Sequence, residues 1–328
     1  MTLLPEWSEQ AFVQLTWPTE ETDWKPYLDE AIECYNHIAD EISKREPLFI
    51  FRGDINDTWA RDHGFITTTN DDGTLLLNDF QFNGWGLKFA ANNDNQINTQ
   101  ILTSAKEAKE NGVANIFSEY FLNAGYNDCM KIVLEGGSIE SDGKGTILTT
   151  EDCLMAPNRN NFESKECFEQ NFREKFGADR VLWLKDVGLT GDDTDSHIDT
   201  LARFAPDDTI VYIYEDTDQS AQSWGLKSMK SQLEAFRTRE GKPYRLVQLP
   251  MPAPVIFEDE ILPATYANFL IINGAVLMPT YGQPEKDQEA MDALQTAFPD
   301  REIVGIDCRV LVKQHGSLHC VTMQFPKA

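Results

Sequence analysis

The sequence predicts an α/β fold built from repeated strand–turn–strand–helix modules arranged about a common axis. Turn signals between apolar, β-branched segments recur along the 328 residues at Asp72, Asp142, Asp207 and Asn273, in steps of 70, 65 and 66 residues. Helix-like stretches fall between several of these turns, and self-similarity at such a spacing is typical of modules around an axis. A doubly wound sheet would instead alternate single strands with helices, and the chain has no G-x-G-x-x-G turn.

Each module is marked by a hairpin whose two strands flank a short turn. The first, in "GFITTTNDDGTLLLNDF", turns at residues 71–73, and the second, in "GSIESDGKGTILTT", turns at residues 142–143. The third turns at residues 206–208, and the fourth, in "ANFLIINGAVLMPTY", turns at residues 273–274. The stretches "LKSMKSQLEAFRTR" and "EAMDALQTAF" have the spacing of amphipathic helices. The pattern occurs about four times, and a partial fifth module follows at the C-terminus.

The composition indicates a globular protein with a strongly acidic surface. Acidic residues number 54 against 28 basic residues, which gives a net charge of −26. Such a field repels nucleic acid and anionic membranes and attracts small cations, although a role in solubility alone stays an alternative. No apolar run approaches the ~18 residues of a membrane span, and "MTLLPEWSEQ" has no features of a secretory signal. Six cysteines without a C-x-x-C pair are expected to be reduced thiols, which predicts a cytoplasmic protein.

Small polar clusters precede the hairpin turns, and we expect them to lie inside strands. They contain Asp62 in "WARDHG", Glu135 in "LEGGS", His197 and Asp199 in "DSHID", and Asn268 in "TYAN". The final "GSLHC", with Cys320, occupies the same place in the last module. Since equivalent positions in a ring of modules converge on its axis, these residues are expected to share one central site.

The group His315, His319 and Cys320 raises the alternative of a metal site. Gly316 and Ser317 disfavour a helical H-x-x-x-H pair, and no second Cys/His pair has zinc-finger spacing. The segment "DDTDSHIDTLARF" resembles a calcium loop but lacks the glycine at its sixth position and the acid at its twelfth. We therefore predict no metal and no organic cofactor.

The chemistry of the clusters favours a cationic substrate. Acids are seldom buried without a partner, and Arg61 and Arg203 could supply internal ion pairs as the competing explanation. Carboxylates bind guanidinium well, because its planar fork matches their two oxygens. A thiol could attack the central carbon of that group while an imidazole moves protons. These residues together predict hydrolysis of a guanidino group.

Six collinear motifs carry a resemblance to a known family. They are "NDTWARDHG", "LEGGSIESDGKGTILTTEDCLMAPNRN", "GDDTDSHIDTLARF", "ANFLIINGAVLMPTYGQP", "FPDREIVGIDC" and "GSLHC". In these motifs the chain resembles the agmatine deiminases, within the guanidine-group-modifying (pentein) superfamily that also holds bacterial-type peptidylarginine deiminases. The resemblance implies a fivefold pseudosymmetric α/β propeller that forms a single catalytic domain over residues 1–328.

The resemblance also implies a role for individual residues. Cys320 matches the nucleophile and His197 the general acid/base. Asp62 and Asp199 match the pair that holds the guanidinium, and Glu135 matches the acid that supports the histidine. Trp59 and Trp85 resemble the aromatic walls along the alkyl chain of the substrate.

Two departures from the family pattern lie beside the implied catalytic residues. His315 and Ser317 stand where the family usually has glycines and an Asn, and Ser196 stands where a Gly is common. His319 is adjacent to Cys320, and neighbouring side chains along a strand point to opposite faces. We therefore expect His319 to pack away from the site in a structural role, and His315 to line the rim of the pocket.

The expected reaction converts agmatine to N-carbamoylputrescine and ammonia, a step of polyamine biosynthesis. An enzyme for free arginine would need a cation for the substrate carboxylate, but "VLVKQHGSLHC" offers only Lys313. Acids cluster instead around the site, and Asp193 is the predicted partner of the distal amine. The alternatives are a peptidylarginine or other guanidine deiminase, an amidinotransferase and an inactive polyamine or guanidine binder. The expected partner is a small cationic guanidine, and assembly into a homo-oligomer stays open.

Overall fold

The computed structural model describes residues 1–215 and 221–327, and its strands are short. The strands are β1 (Thr2–Leu3), β2 (Gln10–Thr16), β3 (Leu48–Phe51), β4 (Ile66–Thr69), β5 (Leu75–Gln81), β6 (Gly125–Val133), β7 (Ile139–Ser141), β8 (Thr146–Thr150), β9 (Arg180–Leu184), β10 (Ala202–Ala205), β11 (Thr209–Ile213), β12 (Arg245–Leu249), β13 (Val255–Phe257), β14 (Glu260–Leu262), β15 (Leu270–Ile272), β16 (Ala275–Thr280), β17 (Glu302–Asp307) and β18 (Thr322–Pro326).

The helices lie between the strands. They are α1 (Leu28–Ser43), α2 (Ala60–His63), α3 (Gly84–Leu87), α4 (Asp94–Glu110), α5 (Ile116–Asn123), α6 (Glu151–Leu154), α7 (Lys165–Phe176), α8 (Ala221–Ala235) and α9 (Pro284–Ala297). Their buried faces follow the helical period: α7, for example, buries Phe168, Phe172 and Phe176 at intervals of four. It ends at Gly177, whose φ of 65° is the left-handed conformation that closes many helices.

Five sheets share one strand pattern. They are β1-β4-β5-β6, β7-β8-β9, β10-β11-β12, β15-β16-β17 and β18-β2-β3. In each, two antiparallel strands are followed by a third strand that pairs in parallel with the second. A parallel neighbour requires a crossover, and one or more helices supply it in every case. The four predicted hairpins are confirmed, but the predicted module omitted its third, parallel strand.

The fifth sheet joins the two ends of the described chain. Strand β18 pairs antiparallel with β2, placing Thr322 opposite Leu15, and β2 pairs in parallel with β3. Phe12 of β2 stacks on Phe325 of β18 at 4.6 Å between ring centroids, and Phe121 of α5 packs edge-on against both. The partial fifth module at the C-terminus is therefore completed by strands from the N-terminal segment.

The polar clusters lie in short helical turns and not inside strands, which corrects the sequence prediction. Asp62 lies in helix α2. Glu135 directly precedes a 3-10 turn at Gly136–Ser138, and Asp199 lies within a second 3-10 turn at Ile198–Thr200. Local side-chain bonds explain the difference. The hydroxyls of Ser138, Thr200 and Thr322 donate to the backbone carbonyls of Glu135, His197 and His319, each three residues earlier, at 2.6, 2.8 and 3.0 Å. Such bonds stabilise a turn at the expense of a strand ladder.

In each of the five sheets, a polar turn thus lies immediately before the first strand of the hairpin.

Among residues 1–215 and 221–327, no helix combines the length and the apolar character needed to cross a membrane.

Candidate active site

A cavity of ≈ 340 Å³ opens next to the polar turns of several modules. Its lining combines acids, aromatic rings and the thiol of one cysteine: Asp23, Asp57, Trp59, Asp62, Trp85, Phe89, Asp193, Thr194, Thr200, Lys313, Gln314, His315, Gly316 and Cys320. The cavity therefore brings together residues more than 250 positions apart in the sequence.

Cys320 lies in the turn that precedes β18, and its side chain is almost fully buried. The Sγ atom is 3.4 Å from Asn268 Oδ1 and 3.9 Å from Asp199 Oδ2. Asn268 Oδ1 also accepts the backbone N–H groups of His319 and Cys320, at 2.9 and 3.3 Å, and so fixes the turn. Burial, together with Asp199 and Asp62, raises the pKa of the Cys320 thiol well above its usual value. In the empty cavity the group is a thiol.

Asp62 presents its carboxylate to the cavity from α2. Its Oδ2 accepts the Trp85 indole N–H at 2.9 Å, and its Oδ1 accepts the Gly137 N–H at 3.1 Å. Burial raises the pKa of Asp62 to about 6, and the negative charges of Asp199 and Glu135 act in the same direction. The positive charge of His197 opposes them. A cation in the cavity would therefore relieve unfavourable electrostatic energy at this carboxylate.

His197 is fully buried, with Nδ1 3.8 Å from Asp62 Oδ1. Burial alone would lower the pKa of His197, but Asp62, Cys153 and Glu135 raise it well above its usual value. Within the described residues neither ring nitrogen has a hydrogen-bond partner. An imidazolium with free N–H groups is suited to donate a proton to a bound ligand.

Asp199 is also fully buried, and its Oδ2 accepts a hydrogen bond from His319 Nδ1 at 2.8 Å. Burial raises the pKa of Asp199, but the hydrogen bond and charge of His319 and the charge of His197 outweigh it, so that the pKa is lowered. Asp199 is a carboxylate at neutral pH, and its Oδ1 has no partner in the described part of the chain. A planar guanidinium could bind to that free oxygen.

Gly137 allows the imidazole and the two carboxylates to approach one another. A Cβ at this position would lie 2.7 Å from His197 Nδ1 and 3.0 Å from both Asp62 Oδ1 and Asp199 Oδ2. These are shorter than van der Waals contacts, so that only a residue without a side chain fits.

Glu135 is completely buried behind His197 and forms an ion pair that the sequence did not predict. Arg159 Nε donates to both carboxylate oxygens, at 2.9 and 3.1 Å, and the same guanidinium binds Asp195 Oδ2 at 2.6 Å. Glu135, Cys153 and His197 offer ligand atoms within 4.8 Å of one another, the spacing of a metal site. Because Arg159 already donates to both Glu135 oxygens, this geometry favours the ion pair.

This constellation of thiol, imidazole and paired carboxylates can be compared with known proteins. The sequence matches the Porphyromonas-type peptidyl-arginine deiminase family over residues 2–326. The chain belongs to this family. Its α/β pentein fold is shared with the solved deiminases below, and the resemblance predicted from the six motifs is confirmed.

Three relatives illustrate the similarity. A solved structure from Porphyromonas gingivalis, described as a "putative arginine deiminase", is 45% identical with a TM-score of 0.87, over 99% of this chain and 98% of its own. A C. jejuni agmatine deiminase, solved as a cysteine-to-serine variant with substrate bound, is 34% identical with a TM-score of 0.87, over 100% of this chain and 96% of its own. A "putative agmatine deiminase" from Lactococcus lactis is 30% identical, over 98% of this chain and 94% of its own length.

The predicted substrate-contacting residues of this peptidyl-arginine deiminase family member all line the cavity. Trp59 and Trp85 form adjacent walls, with ring centroids 6.4 Å apart and planes inclined at 73°. Gly316 lies against Trp59, since a Cβ there would be 2.1 Å from the indole ring. Asp193 faces the cavity, and burial and the neighbouring Asp192 raise its pKa.

One lysine and one histidine line the same cavity, which is therefore less uniformly acidic than the sequence suggested. Lys313 Nζ pairs with Glu30 Oε2 at 2.6 Å, and His315 Nδ1 is 2.8 Å from the backbone oxygen of Gly191. The predicted rim position of His315 agrees with its place in the cavity lining.

The prediction that His319 packs away from the site is wrong, and so is the strand alternation on which it was based. Residues 318–321 form a turn, so that the alternation of a strand does not apply. His319 is buried and absent from the cavity lining, but it does not pack away from the site, because Nδ1 contacts Asp199 directly.

Three contributors to the site were missed from the sequence: Arg159, Cys153 and Glu6, whose carboxylate is 2.8 Å from His319 Nε2. The fully buried Glu135 needed a cationic partner, and Arg159 in the motif "APNRN" was the available signal. Cys153 and Glu6 gave no signal, because neither stands in a polar cluster that precedes a hairpin.

Proposed function

We propose that the chain is a deiminase that hydrolyses the guanidino group of agmatine to N-carbamoylputrescine and ammonia. The observation that carries this proposal is the convergence of four side chains. The Cys320 thiol and Asp62 line a cavity walled by two tryptophans, and the buried His197 and Asp199 lie directly behind them, 3.8 Å from Asp62 Oδ1 and 3.9 Å from Cys320 Sγ. The relatives named agmatine deiminase, one of them solved with substrate bound, support it.

Asp62 and Asp199 would hold the guanidinium. Both are buried. Asp199 Oδ2 is 3.9 Å from Cys320 Sγ, and Asp62 lines the same cavity as Cys320. Two buried carboxylates close together repel each other, and a planar cation placed between them replaces that repulsion with charge-assisted hydrogen bonds. The guanidinium carbon would then lie next to Cys320 Sγ.

Substrate binding would also generate the nucleophile. The negative charges of Asp199 and Asp62 oppose loss of the thiol proton in the empty cavity, and burial opposes it further. A bound cation reverses the local field and lowers the cost of forming a thiolate, whose proton passes to solvent. Catalysis would therefore begin from a site that is unreactive until its substrate is present.

The chemistry proceeds in two stages. The thiolate attacks the guanidinium carbon, a C–S bond forms, and the His197 imidazolium gives its proton to one nitrogen, which leaves as ammonia when the C–N bond breaks. Neutral His197 then takes a proton from water, whose oxygen attacks the S-alkylthiouronium carbon. The C–S bond breaks, the hydroxyl proton of the adduct passes to the departing sulfur, and the ureido product and the Cys320 thiol are released. Water is the only co-substrate, and the two stages together return His197 to its starting state.

The acids of the cavity support a substrate with an amine at its far end. Asp57 and Asp193 line the cavity, whereas the charge of Lys313 is offset by Glu30. Asp193 remains our choice for the partner of the distal ammonium. A free arginine would bring its carboxylate toward these acids, at an electrostatic cost. We also propose that a small cationic guanidine is the only ligand required, and assembly into a homo-oligomer stays open.

We further propose that the five sheets are modules of a fivefold pseudosymmetric propeller, and that they form one catalytic domain over residues 1–328. The repeated strand pattern and the polar turn before each sheet support this arrangement. The six cysteines are free thiols, which supports a reducing, cytoplasmic environment.

Side-by-side turnover of agmatine, free arginine and a benzoyl-arginine ester tests the substrate proposal. Ureido product and ammonia should form in equal amounts from agmatine in water alone, with arginine and the ester turned over far more slowly. The Cys320→Ser variant is the control for non-enzymatic hydrolysis. Faster turnover of arginine or the ester would identify an arginine or peptidylarginine deiminase. Product that forms only when an amine acceptor is added would identify an amidinotransferase, and binding without turnover would identify an inactive binder.

A further inference from the structure

A cluster of charged side chains, all buried except the partly exposed Glu6, lies on the side of Asp199 away from Cys320. Its centre is Glu6, in the loop between β1 and β2, whose carboxylate is 2.8 Å from His319 Nε2. Arg203 and Arg61 also donate to this carboxylate, at 2.6 and 3.1 Å, and Gln324 donates at 3.0 Å. Burial raises the pKa of Glu6, but Arg203, His319 and Arg61 outweigh it and lower the pKa well below its usual value. Glu6 is therefore a fixed negative charge.

The ring of His319 bridges this charge to the site. Its Nδ1 is 2.8 Å from Asp199 Oδ2 and its Nε2 is 2.8 Å from Glu6 Oε1. Both contacts are hydrogen bonds to ionised carboxylates when both nitrogens carry N–H groups, which only the imidazolium provides. A neutral ring would turn a lone pair toward one of the two carboxylates.

Other groups around the ring oppose its charge. Arg203 Nη2 is 3.0 Å from Nε2, and Arg61 is bound to the same carboxylate. Burial, Arg203 and Arg61 lower the pKa of His319 and outweigh Glu6 and Asp199, which raise it, so that the pKa lies below its usual value. The charged ring is therefore held by its two carboxylate contacts against the arginines. The remaining charge that faces Arg203 is Glu140, which is paired with it. Among these groups, Glu6 is the one that both orients the ring and offsets the arginines.

We propose that Glu6 is a positioning residue of the deiminase: through His319, it holds the Asp199 carboxylate in the orientation and charge state that receive the guanidinium beside Cys320. This inference rests on the proposed function. Glu6 touches neither the cavity nor the thiol, and acts only through the imidazole.

Loss of the Glu6 charge should have a recognisable signature. The arginines would then favour a neutral His319, and Asp199 would lose a charge-assisted hydrogen bond. Asp199 would take up a proton at a higher pH than in the wild type. Because Asp62 titrates near pH 6, protonation of Asp199 is the second, steeper part of the acid limb of the pH profile of kcat/KM. That steeper part should move to higher pH, a change that a merely structural role would not produce.

The test compares Glu6→Gln with Glu9→Gln, a matched variant in the same loop. Glu9 is exposed and pairs with Lys327, remote from His319. We expect Glu6→Gln to lose about 10-fold or more in kcat/KM for agmatine at neutral pH, the scale of one charge-assisted hydrogen bond. Its acid limb should shift upward, while Glu9→Gln behaves as wild type. A second variant, His319→Gln, leaves Glu6 in place and should show the same shift.

Coupling between the two positions is the decisive result. If Glu6 and His319 act in one chain of contacts, kcat/KM of the double variant should be no lower than that of the less active single variant. Three results would overturn the inference. They are additive losses of kcat/KM in the double variant, an unshifted acid limb in both single variants, and losses of kcat/KM that match the unfolded fraction measured by thermal melting.

Labelling of Cys320 separates this inference from the proposed function, because it needs no turnover. Glu6→Gln should slow alkylation by cationic chloroacetamidine about 10-fold, and should leave alkylation by neutral iodoacetamide nearly unchanged. Mass spectrometry, with Cys320→Ser as the control, identifies the labelled thiol. If the wild type turns over no guanidine but Glu6→Gln still slows alkylation by chloroacetamidine selectively, only the proposed function is refuted. Equal effects on both reagents would refute the role of Glu6 alone.

Discussion

Placing a methyl group at Gly137 should disable the site without unfolding the protein. In the Gly137→Ala variant the new Cβ would lie 2.7 Å from His197 Nδ1, against about 3.5 Å for a normal van der Waals contact. The imidazole must therefore retreat by about 0.8 Å, and the 3.0 Å contacts with Asp62 and Asp199 push the carboxylates outward as well. A misplacement of about 1 Å costs roughly 10²-fold in rate, so that kcat should fall roughly 30-fold, or about 2 kcal/mol of barrier.

Gly225→Ala is the matched control. Its Cβ would meet its neighbours at 3.6–3.8 Å, which is ordinary contact, and Gly225 lies within α8. Removing a glycine from a helix interior stabilises by about 0.5–1 kcal/mol. Initial rates of ammonia release from agmatine give kcat and KM, and thermal melting gives the fraction folded. Wild-type kcat in a folded Gly137→Ala protein would refute the proposed convergence of His197, Asp62 and Asp199 on the substrate.

Four further predictions follow from the same geometry. Cys320→Ala should abolish ammonia release with little change in the thermal midpoint, and persistent turnover would mean that another group attacks the guanidinium. Asp62→Asn and Asp199→Asn should each lose about 10²-fold or more in kcat/KM, from ~3 kcal/mol of charge-assisted hydrogen bonding, and near-normal kinetics in either would remove that residue from the site. Asp62→Asn should also stabilise the unliganded protein. The folded pKa of Asp62 is about 6, above about 3.9 in an unfolded chain, so that its charge destabilises the fold increasingly from pH ~4 to 6 and fully above that range. A thermal midpoint at pH 8 below that of the wild type would contradict this sign. EDTA should leave turnover unchanged, and inhibition that zinc reverses would indicate a metal at Glu135, Cys153 and His197.

The periodic part of the fold could be predicted from the sequence because each hairpin carries its own local signal. Turn residues such as Asp72 and Asn273 stand between β-branched strands, and that information lies within a few residues. The third strand of each module has no such signal. It pairs only after a helical crossover, and β9 and β12 follow their helices without a hairpin turn. The pairing of β18 with β2 was equally hidden, because nothing local links residues some 300 positions apart.

The catalytic candidates were found because each combines an unusual residue type with a repeated position. Asp62, Glu135, Asp199 and Cys320 all stand in the turn before a hairpin, and the structure gathers them around one cavity or directly behind it. Their supporting partners were missed for the opposite reason. Glu6 approaches His319 through tertiary contact alone, and its position in the sequence carries no sign of that contact.

The pairing of β18 with β2 sets a delay in the biosynthesis of this protein. About 300 residues are added after β2 leaves the ribosome and before β18 does, which takes about 15–60 s at roughly 5–20 residues per second. During that time β2 and β3 present an open strand edge, the kind of surface at which nascent chains associate. Cys320 directly precedes β18 in the sequence, so that its thiol can join Asp62 and Asp199 only after nearly the whole chain has been made. The reactive centre and the strand that fills the open edge therefore become available at the same time, at the end of synthesis.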